Sequence, residues 1–227
     1  MILEVCANSY ESALNAQKGG AQRIELCEDL AVGGLTPNFE LSKKVISELN
    51  IPVFILIRPR DGDFNYSGEE FEQIKKDIII FKELGCKGIV SGILTKDNNI
   101  DISRTRELIE LSKPLEFTFH RAFDEALSPI DALHQLIELK ADRILTSGQA
   151  ETAVKGLDLL KELINIAEKK IIIMPGSGVN INNILEFKKI GSKEIHGSFM
   201  SSIKNKASQT DIKKVITIKS IIKQTKT

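Results

Sequence analysis

The chain has 227 residues, and its 31 basic and 31 acidic side chains give a formal net charge of zero. This balance excludes the strongly basic surface typical of nucleic-acid-binding proteins, so no nucleic-acid partner is predicted. No apolar run approaches the roughly 20 residues of a membrane helix, so no membrane partner is predicted either. Residues 1–6 read directly into a strand and lack the features of a signal peptide. With only three cysteines, the sequence predicts a cytoplasmic protein without a disulfide framework.

Short strand-like runs alternate with helical segments along the chain. Several of the runs, such as residues 53–57 and 171–174, are apolar at every position. This pattern is typical of strands in a parallel sheet that are buried on both faces. The eight predicted strands cover residues 2–6, 23–27, 53–58, 88–92, 116–120, 143–146, 171–174 and 194–197.

The segments between the strands carry helix start and stop signals. Capping side chains stand before most of them, and Ser67 with Glu70 has the spacing of a capping box. Thr36-Pro37 and Ser128-Pro129 each combine a cap with a proline at the first helical position. The remaining predicted caps are Ser9 and Asp101, and the predicted stops are Gly19-Gly20, Gly85 and Gly191.

Residues 210–227 are predicted to form a C-terminal helix that ends in a frayed tail over residues 224–227. The helix is indicated by apolar residues at helical spacing, and their β-branched content leaves a strand at residues 215–218 as the alternative. These apolar residues are Ile212, Val215, Ile216 and Ile222.

Eight strands, each followed by a helix, predict an α/β protein with a (β/α)₈ TIM-barrel fold. No linker or low-complexity segment divides the chain, so a single domain over residues 1–227 is expected. An open doubly wound sheet is the main alternative because it has the same alternation. The absence of a Gly-x-Gly-x-x-Gly motif after the first strand, where Asn8-Ser9 stands, argues against it.

Strand periodicity predicts which side chains point into the barrel. Side chains alternate faces along a strand, so Glu4 and Cys6 share one face, as do Glu25 and Cys27. In a closed barrel the eighth strand lies beside the first, which places His196 next to Glu4 and Cys6. The same periodicity selects Arg58, Thr118, His120, Glu194 and Ser198 for the interior.

The cysteines have two interpretations. Free cysteine is usually a small apolar filler, and this is the expected role of Cys86. Cys6 and Cys27 converge from adjacent strands, so they are either fillers or soft ligands for Cu(I) or zinc. Two thiolates do not complete a tetrahedral zinc site, which makes Cu(I) the better match.

The buried carboxylates and histidines are the candidate catalytic residues. Glu4 and Glu25 either form an ion-pair network with Arg23 or Arg58, or perform acid–base chemistry. His120 either binds a ligand or is held by Asp124. The four candidates are Glu4, Glu25, His120 and His196, whereas His134 is interpreted as a surface or packing residue.

Anion binding is predicted at the mouth of the barrel. The loop after the seventh strand is rich in glycine and is expected to open a helix, and such loops expose backbone N–H groups to phosphate. The arginines are either anion ligands or salt-bridge anchors, and the glycines alternatively only form a tight turn. The candidate anion-binding residues are Arg58, Arg60, Arg121, Gly176, Ser177, Gly178 and Ser198.

Seven motifs follow one another along the chain. They are EVC at residues 4–6, GGAQRIELC at 19–27, GGLTP at 33–37, IRPRDGDF at 57–64, TFHRAFD at 118–124, RILTSG at 143–148 and MPG at 174–176. In this order they resemble the copper homeostasis protein CutC family, over residues 1 to about 200. Two features depart from the family: Ser177 interrupts its glycine run, and the segment after Phe199 matches no family pattern.

The resemblance implies a TIM barrel, a cytoplasmic location and a role in copper tolerance or copper binding. It further implies that Cys6 and Cys27 are the copper ligands and that the protein is a homo-oligomer, expected to be a dimer or tetramer. Copper is thus the one possible cofactor, and no organic cofactor is predicted.

Two functional hypotheses follow. In the first, the protein binds Cu(I) through Cys6 and Cys27 in copper homeostasis. In the second, the barrel is an enzyme that acts on a small anionic or phosphorylated metabolite, because carboxylates, arginine and histidines exceed what a copper carrier needs. The sequence leaves open whether the protein is an enzyme.

Overall fold

The computed structural model describes residues 1–200 and 208–224. Eight parallel strands form a nearly closed barrel surrounded by helices, which confirms the predicted single-domain TIM-barrel fold. The strands are β1 (Ile2–Ala7), β2 (Arg23–Leu26), β3 (Val53–Leu56), β4 (Gly88–Ser91), β5 (Glu116–Phe119), β6 (Arg143–Thr146), β7 (Ile172–Pro175) and β8 (Glu194–Gly197).

A helix follows each strand on the outside of the barrel. The helices are α1 (Tyr10–Lys18), α2 (Phe39–Glu48), α3 (Gly68–Leu84), α4 (Ile102–Ser112), α5 (Pro129–Glu138), α6 (Leu157–Ala167), α7 (Ile184–Lys189) and α8 (Ile212–Gln224). Two short 3₁₀ turns, Leu30–Val32 and Arg121–Glu125, lie in the loops after β2 and β5.

The strand order excludes the open doubly wound sheet. Strands that are consecutive in sequence are hydrogen-bonded neighbours from β1 to β7, and β1 also pairs with β8. Glu4 is therefore flanked by Arg23 of β2 and His196 of β8. The barrel closes at a seam between β7 and β8. The two strands contact each other there, but no continuous ladder of backbone hydrogen bonds joins them.

The main hydrophobic core lies between the strands and the helices. Outward-facing strand residues such as Leu3, Val5, Ile24 and Leu26 are fully buried there. Burial of side chains of this size contributes about 1.5–3 kcal/mol each. The interior of the barrel is different, because inward positions of β1, β2 and β8 include charged residues. The fold thus uses its outer layer for stability and leaves the inner wall free for polar groups.

Most helix starts follow the sequence signals. Ser9 accepts a hydrogen bond from the Ser12 N–H, Asp101 accepts one from the Arg104 N–H, and Ser67 with Glu70 forms the predicted capping box. Gly85 ends α3 in the left-handed conformation, as predicted for a C-cap glycine.

The predicted start of α2 was wrong. The helix begins at Phe39 with Asn38 as its cap, rather than at Pro37 after Thr36. The Thr36 hydroxyl instead accepts a hydrogen bond from the Arg58 N–H, which ties it to the loop after β3. Ser128 makes no capping hydrogen bond with its side chain, although Pro129 is the first residue of α5.

The C-terminal segment forms the helix α8, so the alternative strand at residues 215–218 was wrong. Val215, Ile218 and Ile222 are buried against α1 and α7. The predicted frayed tail lies, apart from residue 224, outside the described residues. Within residues 1–200 and 208–224, no helix has both the length and the apolar character needed to cross a bilayer.

Candidate functional site

The two thiols meet inside the barrel. Cys6 lies on β1 and Cys27 directly follows β2, and their Sγ atoms are 3.4 Å apart. Both are buried in a small interior cluster with Phe54, Leu56 and Val90. Strand pairing explains the contact, because Cys6 is in register with Glu25, two residues before Cys27. Cys86 is buried in the outer core instead.

His196 lies between two carboxylates. Its Nδ1 is 2.7 Å from Glu4 Oε1, and its Nε2 is 3.5 Å from Glu25 Oε2. The ligand atoms of Cys6, Glu25 and His196 all lie within 4.8 Å of one another, so this group could hold a metal ion.

Charge in this group is set by burial and by the neighbours. Burial opposes the charge of His196, but Glu25, Cys6 and Glu4 outweigh it and raise the imidazole pKa well above its usual value. Burial by itself would raise the pKa of Glu4, but Arg23 and His196 have the larger effect and lower it to about 2. Burial raises the pKa of Glu25 against the opposing effect of His196. The imidazole is therefore charged at neutral pH, and Glu25 is the carboxylate that is protonated more readily.

The Cys6 thiol is held in its protonated form. The hydrogen bond with Cys27, burial and the charge of Glu25 together raise its pKa well above the usual value. A metal ion that binds this sulfur must therefore displace a proton.

An ionic network lies beneath these groups. Arg23 pairs with Glu4 and with Glu194, and Arg143 pairs with Glu194 at 3.1 Å. Both guanidinium groups stack on the ring of Phe54, at 4.8 and 5.1 Å from its centroid. Glu4 therefore joins the ion-pair network with Arg23, not with Arg58.

Arg143 was missed in the sequence. Its guanidinium also reaches Glu116 at 2.5 Å and the Thr118 hydroxyl at 3.2 Å. The periodicity of β6 gives only a weak signal for it, since Arg143 shares its inward face with the apolar Leu145.

Arg58 and His120 lie just beyond their strands, which end at Leu56 and Phe119, shorter than predicted. Arg58 donates to the carbonyl oxygens of Val32, Gly34 and Gly62 and so connects the loops after β2 and β3.

His120 is not held by Asp124. Its Nδ1 accepts a hydrogen bond from the Ala122 N–H. Asp124 instead pairs with Arg121 and accepts hydrogen bonds from the loop after β6, donated by the Thr146 hydroxyl and by the N–H groups of Ser147 and Gln149.

A cavity of about 780 Å³ opens at the mouth of the barrel, above the thiols. The predicted site residues that line it are Cys6, Glu25, Arg58, His120, Arg121, Ser177, Gly178, His196 and Ser198. Glu4 and Cys27 are fully buried and do not line it. The cavity thus joins the cysteine end of the site to the residues after β3 and β5.

Arg60 is directed away from this cavity. Its guanidinium pairs with Asp63 and Glu70 and donates to the Asp61, Asp63 and Asn65 carbonyl oxygens. These contacts are those of a salt-bridge anchor.

The glycine-rich loop after β7 does not open a helix directly, contrary to the prediction from the sequence. A turn at residues 181–183 intervenes, and α7 begins only at Ile184. Gly176 donates its N–H to the Thr146 carbonyl, and a Cβ there would overlap Leu145. Tight packing against β6 therefore accounts for this glycine.

Comparison with known proteins covers almost the whole barrel. A model of the CutC family matches residues 1–201. The chain belongs to the CutC family. A CutC family protein of Parabacteroides distasonis is 48% identical over 209 residues, which span 90% of this chain and 85% of the relative. The mouse copper homeostasis protein cutC homolog is 47% identical over 204 residues, which span 88% of this chain and 74% of the relative.

The fold agrees with a solved member of the CutC family. The crystal structure of the putative copper homeostasis protein CutC from Streptococcus agalactiae superposes with a TM-score of 0.83 at 33% identity. The match covers 87% of this chain and 98% of that one. The CutC family model ends before α8, in agreement with the unmatched segment after Phe199.

Proposed function

We propose that this CutC-family protein serves copper homeostasis in the cytoplasm by binding Cu(I) between Cys6 and Cys27. The observation that carries the proposal is the 3.4 Å separation of the two Sγ atoms. Soft thiolates favour Cu(I), and relatives from mouse and human are named copper homeostasis protein cutC homologs.

The position of the thiols supports this function. Cys6 lines the cavity, which gives an ion a route to the sulfurs. Met174, a further sulfur-bearing side chain of the interior, contacts Arg23 through its sulfur. Glu25, whose pKa burial raises, is close enough to Cys6 to accept the released proton, and His196 is close enough to supply a third ligand once it gives up its own proton.

Metal binding requires at most a small movement of the side chains. Sulfur–metal bonds of about 2.3 Å, the value for zinc, place two sulfurs on one ion at most about 4.6 Å apart, when the two bonds are collinear. For that geometry the sulfurs must separate by about 1 Å from the present 3.4 Å. Rotation of two cysteine side chains provides this without a change in the strands.

An anaerobic Cu(I) titration against a competing chelator tests the proposal. We expect wild type to bind one Cu(I) per chain and the Cys6→Ser/Cys27→Ser variant to bind at least about 100-fold more weakly, because both soft ligands are lost. Cys86→Ser is the matched control, since Cys86 is equally buried but lies in the outer core. Equal affinity of the double variant and the control would contradict the proposal.

The homo-oligomer expected from the family resemblance stays a prediction. Light scattering of the purified protein distinguishes a monomer from the expected dimer or tetramer.

A further inference from the structure

Arg58 is a buried positive charge beside the cavity. The residue is 6% exposed, and among the described residues its two terminal nitrogens donate to the loop carbonyls of Val32, Gly34 and Gly62. Its Nε has no hydrogen-bond partner among the described residues. No salt bridge joins Arg58 to a carboxylate within residues 1–200 and 208–224. A buried charge of this kind is costly unless an anion compensates it.

His120 supplies a second buried donor. It is 4% exposed, and its Nδ1 is occupied by the Ala122 N–H, which leaves the ring proton on Nε2. Burial and the charge of Arg58 lower the imidazole pKa to about 3, so the ring is neutral at physiological pH. Within the described part of the chain, Nε2 has no hydrogen-bond partner. A buried donor of this kind is costly unless a water or a ligand accepts a hydrogen bond from it.

The two residues share one wall of the cavity, but the two donor atoms are buried in that wall, so a ligand reaches them only after a small movement of the side chains. Both residues line it, and both pack on the ring of Phe64, with the Arg58 Cζ 4.9 Å and the His120 ring 4.8 Å from its centroid. Gly92, after β4, makes room for the imidazole, because a Cβ there would lie 2.7 Å from His120 Nδ1. The loops after β3, β4 and β5 thus build one donor pair.

The neighbouring polar groups do not take these donors. Glu125 lines the cavity, and its side chain is largely exposed. Its partial burial raises the pKa of the carboxyl, and the charge of Arg58 opposes this rise. Arg121 pairs with Asp124. The Tyr66 hydroxyl lies near Arg58, and burial raises the pKa of Tyr66 to about 12 against the opposing charge of Arg58, so this group is neutral and does not compensate the guanidinium charge.

We propose that Arg58 and His120 bind the carboxylate of a small organic acid inside the cavity. One permanent positive charge and one neutral N–H donor match a monoanion better than a phosphate dianion, which favours more cationic partners. The site lies on the β3 and β5 side of the cavity, separate from the thiols on β1 and β2. Arg58 was among the anion-binding candidates predicted from the sequence, whereas the predicted candidates in the loops after β7 and β8 do not belong to this site.

Titration of the metal-free protein with sodium acetate and sodium succinate tests this site, with chloride and inorganic phosphate at matched ionic strength. The chain has three histidines, so the ring ¹⁵N signals of His120 can be followed directly. We expect a carboxylate to shift the His120 Nε2 signal in a saturable manner and chloride to leave it unchanged. A signal that responds to phosphate but not to carboxylate, or to no anion, would overturn the proposal.

Two substitutions at His120 separate ligand binding from local structure. His120→Asn keeps an acceptor for the Ala122 N–H and removes the Nε2 donor, whereas His120→Gln keeps a donor near the Nε2 position. We expect carboxylate affinity to fall at least about tenfold in His120→Asn and to be largely retained in His120→Gln.

His134→Asn is the matched control, because His134 is exposed on α5. Equal carboxylate affinity in His120→Asn and this control would refute the site. Since the spectroscopic titration uses wild type, the outcome does not depend on the folding of a variant. Cys6→Ser/Cys27→Ser should bind carboxylate like wild type, which separates this inference from copper binding.

Discussion

At the base of the cavity His196 carries its charge between Glu4 and Glu25, and at the opposite wall His120 is neutral. The two imidazoles are both buried, so burial does not explain the difference. Their neighbours do: carboxylates surround His196, whereas Arg58 is the charged neighbour of His120. The same residue type therefore serves as a cation in one position and as a neutral hydrogen-bond donor in the other.

The neutral state of His120 predicts how stability depends on pH. Its folded pKa of about 3 lies below the unfolded value, so the unfolded chain binds more protons as the pH falls below about 6.5. The free energy of unfolding should therefore decrease toward acid, by about 2 kcal/mol from this group between about pH 8 and pH 5.

Urea unfolding of wild type and His120→Asn across this range measures the effect. The variant lacks the titrating group, so the wild type should lose more stability than the variant as the pH falls. Parallel pH profiles would show that His120 is not held neutral in the folded protein.

At the scale of elements, strand periodicity predicted the inward residues of β1, β2 and β8 from the sequence. Those strands carry polar residues or cysteine on one face and apolar residues on the other, which shows which side chains point inward. Arg143 was missed because the other positions of β6 offer little polar contrast. The sequence could not predict that the donors of Arg58 and His120 lack a partner among the described residues. Their surroundings depend on loops that meet only in the folded barrel.

The loop after β6 provides a test of packing at this scale. A Cβ on Gly156 would overlap the Ser147 carbonyl and Gly148, which are backbone atoms with little freedom to move. We expect Gly156→Ala to lower the free energy of unfolding by about 1–3 kcal/mol or more.

Gly68→Ala is the matched control for this substitution. Gly68 is the first residue of α3, and a Cβ added there would have no other atom within 4 Å. Alanine should stabilise there by about 0.4–1 kcal/mol, because it restricts the unfolded chain. If denaturant unfolding showed changes of the same sign in the unfolding free energies of both variants, the packing at Gly156 would be contradicted.

At the scale of the whole molecule, two layers of buried residues with different composition stabilise the barrel. The outer layer is apolar, while the inner one contains Arg23, Arg143 and the carboxylates that pair with them. This ionic centre connects β1, β2, β6 and β8 across the seam that lacks a continuous ladder. It also holds Glu4, and through it His196, at the base of the cavity.

Removal of one central charge should therefore destabilise the barrel strongly. Arg23→Met leaves Glu4 and Glu194 short of a partner, and breaking such a buried pair costs about 3–5 kcal/mol. Glu116→Gln is the comparison, since Glu116 is 53% exposed and its pair with Arg143 should contribute at most about 1 kcal/mol. Similar losses in urea unfolding of the two variants would argue against the ionic centre.

Copper X-ray absorption of the protein loaded anaerobically with one equivalent of Cu(I) tests the central claim most directly. The account predicts sulfur ligands from Cys6 and Cys27, present in wild type and Cys86→Ser and lost in the double cysteine variant. A copper ion coordinated only by nitrogen and oxygen, or sulfur ligation that persists in the double variant, would contradict it.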